Sequence, residues 1–409
     1  MADRTRDEIT QNPAITVATP SRERSDRLFH SICRAGSGYR LLAGYGAAHA
    51  VVDAATVTAL FRVVAVEHWH QMAALVVTYN LLAFAGQALL GPLVDRLRRP
   101  DLAAGMGIAL AGIGLAFSAV GGWAAVACAA IGNALFHLGG GMYSLTLAPH
   151  RATPCGIFVA PGALGLGVGL WLGHAVNKPV WPVYLLLVLC LFYVIRTRPV
   201  GRALMQRALD PVDHGRGSSL VPLLPVAGLL LLTVAIRSFV GGGGTHALPA
   251  VNWLAVGIPL AAFTGKLAGG VLADRYGWIR TSVGALLLSL PLLVIGKHEP
   301  WLVVIGLALF QTTMPVTLSA LGLLFPGRPA TAFGLSCLAL VIGALFGFLP
   351  VGRQLYLDRV FVALIVVSAV GVGFALQLLA VGGREKKTSV FTFHLRATFA
   401  RSSVAKFSN

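Results

Sequence analysis

The chain has 409 residues, 56% of them hydrophobic and only 11% charged, a balance that excludes a water-soluble domain and points to a chain solvated by lipid. Its net charge of +17 would suit nucleic acid. About 25 of its 32 Lys and Arg, however, fall on the terminal tails and on alternate connections between apolar runs, which is the positive-inside pattern of a membrane protein.

Crossing hydrocarbon about 30 Å thick takes about 20 helical residues, and about twelve runs meet that need. In chain order they are 40–62, 70–92, 102–120, 123–147, 154–174, 179–196, 220–241, 248–272, 281–296, 301–325, 331–350 and 359–381. They are continuously apolar rather than alternating, which predicts helices and not a barrel. Residues 1–39 form a polar, Arg-rich tail without the short apolar core of a cleavable signal peptide, so the first span is expected to act as an uncleaved signal. Segments 197–219 and 383–409 read as a linker and a C-terminal tail, placed with the N-terminus in the cytoplasm by the charge pattern. Cys33, Cys128, Cys155, Cys190 and Cys337 have neither disulfide nor zinc spacing and read as small apolar fillers.

The first span, "LLAGYGAAHAVVDAATVTALF", carries His49 and Asp53 near its centre, four residues apart and therefore on one helix face. An aspartate at mid-span costs about 2.5–3.5 kcal/mol on insertion scales, and such groups normally face a cavity or a partner. Of the 15 acids Asp53 alone lies mid-span; the others fall in tails, loops or helix ends.

Further along, span two ends on "GPLVDRLRRP", an acid and several arginines at the cytoplasmic end of a helix. Span four carries Asn133, His137 and, within "FHLGGGMYS", three successive glycines, which signal close backbone approach or local unwinding. Small residues four apart let helix backbones meet in lipid: Gly165, Gly169 and Gly173 in span five, and Gly257, Ala261, Gly265 and Gly269 in span eight. Arg237 lies in span seven, followed by Gly241 to Gly244, read as an outer turn; Lys266 lies in span eight. Span ten holds Gln311, Thr312 and Thr313 and then Met314-Pro315, a candidate kink.

The chain repeats itself. Gly91, Asp95 and Arg96 at the end of span two return as Gly270, Asp274 and Arg275 at the end of span eight, with the two aspartates 179 residues apart. Pro149-His150-Arg151 returns as Pro326-Gly327-Arg328 at an offset of 177, and Gly165/Gly169 as Gly343/Gly347 at 178. Three landmarks at nearly one spacing argue for two homologous halves joined by the linker.

With these paired motifs the chain, over about residues 40–382, resembles the major facilitator superfamily, whose Gly-x-x-x-Asp-Arg-x-Gly-Arg-Arg type loop follows helices 2 and 8. Gly91, Asp95, Arg96 and Arg99 fit the first copy, with Arg98 in place of its second glycine; Gly270, Asp274, Arg275 and Gly277 fit the second, where Trp278 and Ile279 replace the basic pair. The resemblance implies an all-α membrane protein with twelve transmembrane helices in two pseudo-symmetric six-helix bundles, here 40–196 and 220–382. It implies that the loop motifs gate the cytoplasmic side, and that helices 5 and 8 meet between the halves, so that their glycine ridges become the surface on which one half turns against the other. It also implies a central cavity lined by helices 1, 4, 7 and 10, the helices that carry Asp53, His49, Asn133, His137, Arg237, Gln311, Thr312 and Thr313. Lys266 either joins that cavity or snorkels to the interface.

Two roles stand open for Asp53: a structural partner that orients His49 or neutralises Arg237, or the group that takes and releases a proton as the cavity alternates, assisted by His49 and His137. With one deep acid among several cations, an anionic or zwitterionic solute is expected. Pro161-Gly162 in span five is similar, in reversed order, to the Gly-Pro element of family antiporters. His-x-x-x-Asp in helix 1 and Phe-His in helix 4 resemble fosmidomycin-resistance-type exporters, which implies proton-coupled export. The alternatives are proton symport of an organic anion and, more remotely, an intramembrane hydrolase using Ser144 and His137, for which no Gly-x-Ser-x-Gly setting exists. No cofactor, metal or nucleic-acid partner is expected; the partners are solute, protons and an inner or cytoplasmic membrane, with the chain acting as a monomer.

Overall fold

The computed structural model describes residues 22–67, 69–175, 177–209, 223–246, 252–296, 299–347 and 349–380. The start of the N-terminal tail, the second part of the expected linker and the C-terminal tail lie outside the described residues. Every regular element among those described is helical.

In chain order the long helices are α1 (Arg22–Val66), α2 (Trp69–Asn80, a π turn Leu81–Ala85, then Gly86–Leu97), α3 (Pro100–Phe117), α4 (Trp123–Thr146), α5 (Thr153–His174) and α6 (Trp181–Leu209). There follow α7 (Leu223–His246), α8 (Leu254–Tyr276), α9 (Trp278–Ile295), α10 (Pro300–Gln311 and Thr313–Leu324), α11 (Pro329–Phe346) and α12 (Asp358–Ala380). Eleven are long and apolar enough to cross a membrane, with α9 slightly shorter. The chain is a multi-pass membrane protein.

Local chemistry sets several boundaries. Proline opens α3, α10 and α11, where its missing N–H is one the helix could not use. The break in α10 falls at Thr312 because Pro315 cannot bond to the Gln311 carbonyl one turn back and crowds it. The three glycines of α4 leave that helix unbroken; Gly139 lies against the Pro100 and Ala104 backbone, Gly140 against Phe158 and Gly141 against Phe333. Close packing, not unwinding, accounts for them. Contrary to the expected outer turn, α7 continues through Gly241–Gly244 to His246, since glycine weakens a helix by about 1 kcal/mol without forbidding it.

In the first half α1 packs most extensively on α5, and α3 on α4; in the second, α8 and α9 pack on α10, and α7 on α11. The halves meet along two seams, α5 on α8 and α2 on α11. The glycine ridges do not form these seams, which corrects the sequence reading. Gly165, Gly169 and Gly173 face α1 at Ala50, Val57 and Phe61, while Gly265 and Gly269 face α10 at Ala308 and Thr312, and Gly257 meets Trp253 and Val304. A four-residue spacing shows that a face is small, not which neighbour it meets. Glycines that do cross between halves include Gly156 against Lys266, Gly167 against Pro259, Gly91 against Ala330 and Thr331, Gly334 against Gln87, and Gly270 against Ala152 and Thr153.

Candidate functional site

The site begins with Asp53. Its 4-residue separation from His49 on α1 lets the His49 Nε2 lie 3.2 Å from Asp53 Oδ2, with both side chains buried. From α4, Asn133 Nδ2 donates to Asp53 Oδ1 at 2.8 Å and to Thr56 Oγ1 at 3.2 Å, while His137 Nε2 stands 3.8 Å from Oδ1. Tyr79 of α2 donates to Thr56 at 2.9 Å and braces this side of the cluster.

The histidine tautomers follow from their other nitrogens. His49 Nδ1 lies 2.8 Å from the Phe158 carbonyl and His137 Nδ1 2.9 Å from that of Asn133. A carbonyl only accepts, so each Nδ1 carries hydrogen and donates it. Both Nε2 atoms then turn toward a carboxylate, and an attractive contact at 3.2 Å needs a proton between them. The cluster is thus built to hold a cation, and a proton suffices. The His49, Asp53 and His137 donor atoms all lie within 4.8 Å of one another, so this group could also accept a metal ion. The Lys266 ammonium, which lines the same cavity from the other half, opposes a doubly charged ion there.

A cavity of about 250 Å³ adjoins the cluster, lined by His49, Asp53 and His137 from one half and by Lys266, Gln311 and Ser238 from the other. Its apolar wall includes Phe84, Leu166, Met314, Phe333 and Leu340. Asn80 precedes and Phe84 sits in the π turn of α2, and both line the space. Gly162 borders the donor atoms, where a Cβ would meet His49 Nε2 and Asp53 Oδ2.

Toward the end of the bundle that carries Asp95 and Asp274, the cavity is closed. The Phe158 and Phe333 rings meet at 5.9 Å, and beyond them Leu145 packs on Gly322 and the Ser319 hydroxyl donates to Cys155 Sγ at 3.1 Å. At the end itself the two loop motifs act across the halves. Asp95 accepts from the Ala330 and Thr331 amides, both at 2.8 Å, at the start of α11; Asp274 accepts from those of Ala152 and Thr153, at 2.8 and 2.9 Å, at the start of α5. Each carboxylate sits on the positive end of a helix in the opposite half. Gly91 and Gly270, one turn before each aspartate, let the backbones close to this distance. Arg96 and Arg275 are exposed, and Gly277 ends α8 with φ +98°.

Other predicted residues are dispersed. Arg237 is buried between α7 and α10, behind the lining, with Nη1 3.3 Å from Thr317 Oγ1. Thr312 and Thr313 turn their hydroxyls onto carbonyls of their own helix, leaving Gln311 as the cavity member of that trio. Ser144 donates to the Gly141 carbonyl. The sequence reading missed Asn80, Phe84, Ser238 and Cys337 in the lining; three are ordinary apolar or small residues in an apolar span, while Asn80 was a polar signal within span two.

No protein-family model and no curated protein matches the sequence. Solved structures do match in three dimensions. A major facilitator superfamily transporter, FucP, in the outward conformation, aligns with TM-score 0.55 at 13% identity, covering 83% of this chain and 98% of that one. A bacterial homologue of the iron transporter ferroportin, outward-facing, gives 0.54 at 14%, covering 85% and 99%. The human organic anion transporter MFSD10 gives 0.55 at 16%, covering 83% and 99%. At such identities the likeness establishes the fold: two six-helix bundles of the major facilitator type.

Proposed function

We propose that this chain is a secondary active transporter that exports a small organic solute in exchange for protons by alternating access. One observation carries the reading: a buried carboxylate held by two histidines and an asparagine borders a cavity between two halves that, among the described residues, are pinned together by hydrogen bonds at the end carrying Asp95 and Asp274. The pinned end, with the basic loops, is the cytoplasmic one on the charge pattern, so the cavity belongs to an outward-facing arrangement. Release of Asp95 and Asp274 from the starts of α11 and α5 lets the halves rock and opens the other side.

In this cycle Asp53 takes and gives up the coupling proton. His49 shares it, His137 and Asn133 hold the carboxylate in position, and Gln311 and Lys266 meet the solute. Arg96 and Arg275 supply positive charge beside the latch. The membrane is the inner or cytoplasmic one, the chain acts as a monomer, and no cofactor is involved. A second reading, proton symport of an organic anion, draws support from Lys266 and Arg237, which form no ion pair among the described residues. FucP, which shares this fold, is a fucose:proton symporter, so symport is compatible with the architecture.

Reconstituted vesicles separate the two. With a solute selected by thermal-shift screening and an imposed proton gradient, accumulation against the direction of proton flow supports antiport; accumulation along it supports symport. No gradient-dependent movement of any selected solute would remove proton coupling.

A further inference from the structure

The two walls of the cavity are unequally satisfied. On the first, Asp53 is already engaged by His49, His137 and Asn133, all from its own half. From the second half, Lys266 lines the cavity with no hydrogen bond or ion pair among the described residues. The buried Arg237, beyond the lining, makes a single hydrogen bond among the described residues, to Thr317, and its Nε has no hydrogen-bond partner there. Two cations out of bulk water with no ion-pair partner in contact among the described residues are costly, and an anion that reaches them recovers much of that cost.

We propose that the solute carries an anionic group, a carboxylate or an acid of the same charge, which docks on Lys266 with Arg237 reinforcing the positive field, while an apolar body lies against Phe84, Met314 and Phe333. This names the solute class for the transport site above and rests on that reading. The geometry supports it in three ways. Lys266 lines the space from the other half than the Asp53 cluster, so the acid group and the proton are held by different halves. Gln311 and Ser238 flank the ammonium side with neutral hydrogen-bonding groups. Apolar side chains dominate the remaining wall, and about 250 Å³ suits a compact body rather than a long chain. Lys266 also lies eight residues before Asp274 on α8, about 12 Å of helix from the latch, so a charge bound there acts on the element that carries the gate.

The test uses the full chain in detergent and two matched series: benzoate, benzyl alcohol and benzylammonium; hexanoate, hexanol and hexylammonium. Thermal unfolding midpoints are read for wild type, Lys266→Gln and Lys266→Arg. The carboxylates are expected to raise the wild-type midpoint while their neutral and cationic partners do not. Lys266→Gln should weaken carboxylate binding at least about tenfold, and Lys266→Arg, which keeps the charge, should retain it and show that the site still folds. Equal stabilisation by alcohols or ammoniums, undiminished carboxylate binding in Lys266→Gln, or no response to any carboxylate would overturn the proposal. Binding is read without a membrane gradient, so such a failure would leave alternating access and proton coupling to be judged by the vesicle experiment alone.

Discussion

Asp95 and Thr331 lie in opposite halves of the protein, yet Asp95 Oδ2 accepts both the backbone amide and the hydroxyl of Thr331, at 2.8 and 2.6 Å. Asp274 does the same to Thr153, at 2.9 and 2.5 Å. The repeated loop motif is therefore one device used twice, each copy closing on the other half. Helix N-terminus and carboxylate attract one another in both copies, and the two together fasten the end of the bundle that Phe158, Phe333, Leu145 and Ser319 also close.

Asp95→Asn and Asp274→Asn should each loosen this end. A charge-assisted hydrogen bond is worth about 1.5–3 kcal/mol, which shifts the closed-to-open ratio by about tenfold to a hundredfold. Cys155, buried beside Ser319 beneath the cavity, reports the change. As the sole remaining cysteine it should react slowly with a small thiol reagent in the parent and markedly faster in either variant. Equal reactivity in all three proteins would remove the latch.

Arg98 has φ +51° at the end of α2, and Gly277 has φ +98° at the end of α8. Each is seven residues past its motif glycine, Gly91 or Gly270, so both copies turn left-handed at the same step. Only the second uses the residue that does so without strain. Arg98→Gly should therefore stabilise the protein by about 1 kcal/mol, seen as a higher unfolding midpoint; Gly277→Ala should lower it. A destabilised Arg98→Gly would mean that the arginine side chain contributes more than its backbone costs.

Gly162 faces the His49 and Asp53 donor atoms, where a Cβ would meet both. Gly162→Val should displace them and abolish gradient-driven transport while the protein remains folded and inserted, as judged by size-exclusion behaviour and unfolding midpoint. Transport at the parent rate would show that the arrangement of His49 about Asp53 has no bearing on turnover.

Much of this was legible in the sequence. Apolar runs fixed the helices because lipid thickness sets their length. The isolation of Asp53 among 15 acids marked the buried cluster beside the cavity because burying a carboxylate is expensive. The repeat at Asp95 and Asp274 marked the two carboxylates that bond across the halves. What these residues touch was not legible. Thr331 and Thr153 are unremarkable helix starts until the opposite half is in place, and Asn133 becomes the donor to Asp53 only through the packing of α4 on α1. The ridges at Gly165 and Gly265 misled for the same reason: a small face fits any close neighbour, and here the neighbours were α1 and α10. Phe84 and Leu340 carry no sequence signal that separates a cavity wall from a lipid-facing surface.

The central claim is that Asp53 couples the proton to movement of the solute, and it is tested most directly by Asp53→Asn in sealed vesicles. Two rates are measured with the same solute: accumulation driven by an imposed proton gradient, and exchange of labelled for unlabelled solute without one. The account predicts that Asp53→Asn abolishes accumulation while exchange is at least partly retained, because the cavity and the latch remain intact. Full gradient-driven accumulation by Asp53→Asn would contradict it.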